Sequence, residues 1–60
     1  MMSTKWYQET FNEYGNIEEN NMSISEWLSE LAVSKDILRI NEIIIQDNII
    51  ILVETAERKG

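Results

Sequence analysis

The chain contains no cysteine, no histidine and no proline, and only two glycines among its 60 residues. Without cysteine there is no disulfide, and without cysteine or histidine a structural zinc site lacks its preferred ligands. The same absences exclude the commonest general base and the thiolate nucleophile. Gly15 and Gly60 cannot supply a glycine-rich phosphate-binding loop. The sequence therefore predicts a protein that is not an enzyme and that uses no cofactor and no metal.

Long apolar runs and a secretion signal are also missing. The N-terminal stretch MMSTKWYQ has no apolar core segment, and the longest apolar run, residues 49–53, is too short to cross a bilayer. The lack of cysteine fits a reducing compartment. We therefore expect a soluble, cytoplasmic protein without a membrane segment.

Acidic side chains outnumber basic ones by 11 to 5, which gives a net charge of −6. Residues 1–30 hold six acids against one base (−5), and residues 31–60 hold five acids against four bases (−1). Such a surface repels phosphate backbones, so direct nucleic-acid binding is not expected. The acidity serves solubility, or it forms a decoy that occupies a basic nucleic-acid-binding site on another protein.

Residues 22–34 carry the clearest secondary-structure signal. Ser23 and Glu26 have the spacing of a capping box, and Met22 and Trp27 that of a hydrophobic staple. Behind the cap, apolar residues recur at helical spacing: Ile24, Trp27, Leu28, Leu31 and Ala32. This pattern predicts a helix over residues 24–34 with one apolar face directed at a core.

Residues 37–54 include eight isoleucines and predict two strands joined by a tight turn at Asp47-Asn48. This turn would place Ile44 opposite Ile51. One face of the hairpin would then collect Leu38, Ile40, Ile44, Ile49, Ile51 and Val53. The other face would collect Ile43, Ile45, Ile50 and Leu52. A three-residue turn through Gln46 would exchange the partners and still leave both faces apolar near the turn.

The N-terminal third leaves two alternatives open. The aromatic content of residues 6–11 favours a strand, whereas Tyr7, Phe11 and Tyr14 also lie at helical spacing. With the strand, one domain over residues 1–60 contains a strand at about 5–11, an acidic loop at about 12–22, a helix at about 24–34 and a hairpin at about 37–57. The predicted fold class is α+β: a β-α-β-β domain with one helix packed on a three-stranded sheet of order 1-3-2.

Several segments together carry a resemblance to known proteins. They are the aromatic first strand Lys5–Phe11, the acidic loop, the helix segment SEWL at residues 25–28, and DILRI at residues 36–40 opening a hairpin. This pattern resembles the very short sporulation-associated proteins of spore-forming firmicutes and similar small proteins encoded by their phages. The resemblance implies a bacterial or phage origin, a β-α-β-β fold and no catalytic residues.

One helix covers one face of a three-stranded sheet, which leaves the second apolar face of the hairpin without a cover. Exposed contiguous apolar patches mark interfaces, and a two-fold dimer is the commonest solution. The leading hypothesis is a non-enzymatic, small acidic interaction module that forms a homo-oligomer. Its predicted interface residues are Ile43, Ile45, Ile50 and Leu52. In the alternative, the N-terminal segment with Trp6 or Tyr7 folds across this face within one chain.

Two further classes of function remain open. In the first, a phage-type inhibitor blocks a host protein with its acidic half or with an open sheet edge. In the second, a protein sequesters a small ligand or nucleotide at a site between subunits. There Trp6 and Tyr7 would stack on a base, and Arg39, Arg58 or Lys59 would contact a phosphate.

Overall fold

A computed structural model describes residues 3–58. In chain order it contains strand β1 (Thr4–Phe11), helix α1 (Ile24–Ser34), strand β2 (Lys35–Ile45) and strand β3 (Asn48–Glu57). The strands form one sheet of order β1-β3-β2, in which β3 is antiparallel to both neighbours. The predicted α+β fold class, with one helix on a three-stranded sheet of order 1-3-2, is confirmed.

Strand β1 resolves the ambiguity of the N-terminal third in favour of a strand. It pairs with β3 along its whole length, from Thr4 opposite Ala56 to Phe11 opposite Ile49. Its side chains alternate in burial, and the exposed fraction falls to 0% at Phe11. A helix over this segment would have left β3 without a partner on one side.

Helix α1 begins as its sequence predicts. The Glu26 amide donates to Ser23 Oγ at 3.2 Å, and the Ser23 amide donates to Glu26 Oε1 at 3.3 Å, so the capping box is complete. Met22 and Trp27 both pack against the buried core, as a hydrophobic staple requires. These contacts fix both the start of the helix and the direction from which the chain enters it.

The helix ends without a loop, because Lys35 is both its C-cap and the first residue of β2. The Lys35 amide donates to the Leu31 carbonyl. Arg58, from just beyond β3, donates to the carbonyl of Val33 at 3.3 Å and to that of Lys35 at 3.0 Å. An arginine side chain thus satisfies terminal helix carbonyls that a C-terminal glycine motif satisfies in many helices.

The core lies between α1 and the sheet and is centred on Phe11 and Val53, both fully buried. The rings of Phe11 and Trp27 meet edge to face, with centroids 5.6 Å apart. Ile17 is also buried, although it comes from the loop that composition describes as polar. Two backbone hydrogen bonds hold it there, from the Ile17 amide to the Met22 carbonyl and from the Asn21 amide to the Ile17 carbonyl, each 2.8 Å.

The turn of the β2–β3 hairpin lies one residue earlier than predicted. Gln46 and Asp47 form a two-residue turn, and Ile45 pairs with Asn48. Gln46 adopts the left-handed backbone conformation in this turn, with a φ of 54°. The predicted Asp47-Asn48 turn is therefore wrong, and so is the alternative three-residue turn.

The observed register has a physical reason farther along the hairpin. It places Arg39 opposite Glu54 and Ile40 opposite Val53, whereas the predicted turn would have placed Arg39 opposite Ala56. Opposite charges and paired apolar side chains across two strands both favour the observed register. Because each residue's partner moves by two positions, the side chains keep the faces that the sequence predicts.

Leu38 interrupts the regular pairing of β2 with β3. The ladder between β2 and β3 shifts between Ile37 and Arg39, so Leu38 occupies a β-bulge. Ile37, opposite Thr55, packs against the core in its place, and Leu38 is exposed. Leu38 therefore has no partner residue on β3, and Ile37 takes the core position that the predicted alternation gives to Leu38.

The molecule is elongated, with extents of 38 × 19 × 14 Å and a Cα radius of gyration of 12.3 Å. A compact domain of this length has a radius of gyration of about 10.4 Å. The accessible surface is 4557 Å², against roughly 4,100 Å² for a compact monomer of the same mass. The hairpin accounts for this shape, because its turn end extends beyond the helix.

Candidate interaction surface

The side of the sheet away from α1 is here named the open face. Because alternate residues of a strand point to the same side, its members follow from the register. They include Trp6, Gln8 and Thr10 from β1, Ile50, Leu52 and Glu54 from β3, and Arg39, Asn41, Ile43 and Ile45 from β2. The helix contributes no residue to this face.

The structure brings the four predicted interface residues together in one patch. Ile43 lies directly opposite Ile50. Ile45 lies two residues after Ile43 on β2, toward the turn. Leu52 lies two residues after Ile50 on β3, away from the turn. Ile43 and Ile45 are 43% and 54% exposed, whereas Ile50 and Leu52, in the central strand, are half-buried. Ile43 and Ile45, on the edge strand, therefore have more accessible surface to bury in a contact than Ile50 and Leu52.

The open face is electrically neutral, although the chain carries a net charge of −6. Arg39 Nε lies 3.8 Å from Glu54 Oε1 across the two strands. At the far end of β2, Arg58 Nε lies 3.0 Å from Asp36 Oδ1. The unbalanced acids lie in the loop, in the helix, in the turn and on the helix side of the sheet. A second copy of this acidic chain is therefore repelled least at the open face.

Trp6 and Tyr7 do not form a common binding surface. Adjacent strand residues point to opposite sides of a sheet, so Trp6 lies on the open face and Tyr7 on the helix side. The Tyr7 ring has two ammonium groups beside it, Lys5 Nζ at 5.2 Å and Lys35 Nζ at 5.5 Å from the ring centroid. The structure thus separates the two aromatic residues that the nucleotide hypothesis brings together.

The cationic residues of that hypothesis already have protein partners where the structure describes them. Arg39 pairs with Glu54, and Arg58 contacts Asp36 and two backbone carbonyls. Lys59 lies outside the described residues. Neither described arginine is presented with its full set of donors to a phosphate.

The alternative in which the N-terminal segment folds across the open face is also wrong. Residues 4–11 form β1 and lie within the sheet, where they extend the open face instead of covering it. Trp6 adds its own apolar surface at the edge of that face, with 46% of the side chain exposed.

The helix side of β2 is less covered than the sequence predicts. Ile40 and Ile44 lie on this side, yet they are 48% and 66% exposed. The reason is length: an 11-residue helix spans about 16 Å, whereas an 11-residue strand spans about 36 Å. The helix therefore does not reach the turn end of β2, which is bare on the helix side as well as on the open face. The predicted lengths of the helix and the strand already imply this difference.

A shallow cavity of about 250 Å³ lies at this bare end, lined by Glu13, Ile44, Gln46, Asp47 and Ile49. Among residues 3–58, no group of three or more acidic side chains is arranged to hold a metal ion. No helix in the same range is long and apolar enough to span a membrane. No buried side-chain polar atom of the described chain lacks a hydrogen-bond partner.

The fold and its surface define a small α+β protein with one helix-covered and one bare sheet face. Comparison with protein-family models, with curated proteins and with solved structures finds no match. The resemblance to small sporulation-associated and phage-encoded proteins therefore stays a prediction.

Proposed function

We propose that this protein is a non-enzymatic interaction module that self-associates through its open face. The observation that carries the proposal is the contiguous patch of Ile43, Ile45, Ile50 and Leu52 on a sheet face without a helix. Burial of apolar surface is the main driving force of association, and a two-fold contact brings the same patch of both copies together.

The size of the surface supports this proposal. The chain exposes roughly 450 Å² more than a compact monomer of its mass. A stable protein interface covers about 800 Å² on each partner. Part of this excess lies on the open face, where Ile43 and Ile45 are 43% and 54% exposed.

Charge supports a second copy as the partner. Two chains of charge −6 repel each other at most relative orientations, and this repulsion is weakest where each presents a neutral surface. On the open face Glu54 contacts Arg39, and Asp36, opposite Ala56, pairs with Arg58. Face-to-face packing therefore buries apolar surface without bringing unbalanced carboxylates together.

The test replaces an open-face isoleucine by lysine and measures the mass in solution by light scattering. We expect the wild type to be a dimer at micromolar concentration and Ile45→Lys and Ile50→Lys to be monomers, because a buried unpaired ammonium opposes association. Val33→Lys is the matched control, since Val33 is a 77% exposed apolar residue on α1. It should remain dimeric. Circular dichroism of each variant verifies that the fold is retained.

A second candidate function, inhibition of a host protein through the sheet edge, is supported by the bare end of β2. We also propose, from the resemblance of its segments, that the protein is bacterial or phage-encoded and acts in the cytoplasm. The nucleotide-sequestering alternative has less support, because Trp6 and Tyr7 lie on opposite sides of the sheet.

A further inference from the structure

Strand β2 is an edge strand whose turn-end half is exposed on both faces of the sheet and along its free edge. Among residues 3–58 it has β3 on one flank and no strand on the other. Every residue from Leu38 to Ile45 is exposed. The bulge at Leu38 interrupts the ladder, so residues 39–45 form a regular free edge of seven residues. Such an edge offers unpaired backbone donors and acceptors to another strand.

The helix side of this edge combines apolar surface with unbalanced negative charge. Ile40, Glu42 and Ile44 alternate along it, and the cavity beyond Ile44 adds Glu13 and Asp47. None of these three carboxylates is in an ion pair with the described residues, whose two pairs are Arg39–Glu54 and Arg58–Asp36. The surface is therefore complementary to a segment that is both apolar and basic.

A second copy does not meet this description. When two identical edge strands pair antiparallel about a two-fold axis, side chains of the same sheet side meet. The basic residue of the free edge, Arg39, lies on the open face, whereas Glu42 lies on the helix side. Pairing two copies of β2 would bring Glu42 to apolar or acidic side chains and leave its charge unbalanced.

We propose that residues 39–45 of β2 bind an extended, basic segment of another protein by strand addition. The segment carries alternating apolar and basic side chains on one side. Its apolar side chains pack on Ile40 and Ile44, one basic side chain lies beside Glu42, and a second enters the cavity near Glu13 and Asp47. Backbone hydrogen bonds supply affinity, and the alternation supplies specificity. This site uses the backbone edge and the helix side of β2, whereas self-association uses side chains on the open face, so strand addition does not depend on self-association.

The probe is a fluorescent peptide, acetyl-Lys-Thr-Ile-Thr-Lys-Thr-Ile-Thr-amide, whose Lys and Ile share one side of a strand. Fluorescence anisotropy measures its binding. We expect it to bind at least about tenfold more tightly than the same peptide with Glu in place of Lys, a difference of about 1.4 kcal/mol. N-methylation of the peptide amides that face β2 should abolish binding, because strand addition needs those N–H groups as donors. Binding by charge attraction alone would survive this change.

NMR spectra of the backbone amides locate the site. The basic peptide should shift the signals of residues 39–45 together with those of Glu13 and Asp47. The other sheet edge, β1, is the internal control and should not respond. Shifts confined to β1 or to Ile50 and Leu52, with none at residues 39–45, would overturn the proposal, and so would equal binding of the acidic peptide.

Matched charge reversals provide the second arm of the test. Glu42→Lys should weaken binding about tenfold or more and Glu42→Gln by less, whereas Glu30→Lys, the same change on the exposed side of α1, should leave it unaffected. The peptide could fail to bind while the amides of residues 39–45 in the free protein are protected from hydrogen exchange. That result would show that a second copy occupies the edge, and it would overturn the proposal. Light scattering tests self-association through the open face, and anisotropy tests peptide binding at the edge. One proposal can therefore fail while the other holds.

Discussion

At the scale of single residues, Gln46 is the position where the backbone is most clearly at odds with its side chain. Its φ of 54° belongs to the left-handed region that favours glycine. Gln46→Gly should therefore raise the free energy of unfolding by about 0.5–1 kcal/mol. Urea denaturation at fixed protein concentration measures this gain. Asp47→Gly is the control, because Asp47 has no positive φ; an equal gain there, or a loss at Gln46, would contradict the turn geometry.

Ile17 is the residue whose role composition hides most completely. It lies between acidic and polar neighbours, yet only 7% of it is exposed and it joins the core around Phe11. Ile17→Ala should lower the free energy of unfolding by about 2–4 kcal/mol. Tyr14→Ala, at a 79% exposed position in the same loop, should change it by less than about 0.5 kcal/mol. Equal effects in thermal or urea unfolding would place Ile17 outside the core.

At the scale of secondary-structure elements, Arg58 connects the end of α1 to β2 and to the end of β3. It makes three hydrogen bonds, to Asp36, to Val33 and to Lys35. Arg58→Ala should cost about 0.5–1.5 kcal/mol of stability, since the group is partly exposed. Arg39→Ala removes a single 3.8 Å pair and should cost less. A larger loss at Arg39 than at Arg58 in urea unfolding would reverse this assignment.

The elements also show which features of this fold can be read from sequence. The start of α1 could be predicted because Ser23, Glu26, Met22 and Trp27 determine it locally. The face of each hairpin residue could be predicted because alternation survives a shift of two positions. The register could not, because it depends on a distant pair, Arg39 with Glu54, and on a bulge that no local signal announces.

The candidate surfaces divide in the same way. The open-face patch could be predicted because it follows from alternation and from the presence of one helix. The bare helix side of β2 does not follow from alternation but from element lengths, because an 11-residue helix is less than half as long as an 11-residue strand. The separation of Trp6 from Tyr7 follows from strand alternation as soon as residues 4–11 are assigned to β1.

At the scale of the whole molecule, shape and charge describe two surfaces with different partners. The open face is apolar and neutral, which suits a second copy. The free edge of β2 is apolar and acidic, which suits a basic segment of another protein. The elongated chain leaves both surfaces bare, as the two proposals require.

The mass of the wild-type protein in solution tests the central claim most directly. Light scattering over a dilution series at micromolar concentrations should give twice the mass of one chain, falling to the monomer mass on dilution. Ile45→Lys should give the monomer mass throughout, and Val33→Lys should follow the wild type. A wild-type protein that is monomeric at every concentration, with its fold intact, would contradict the account.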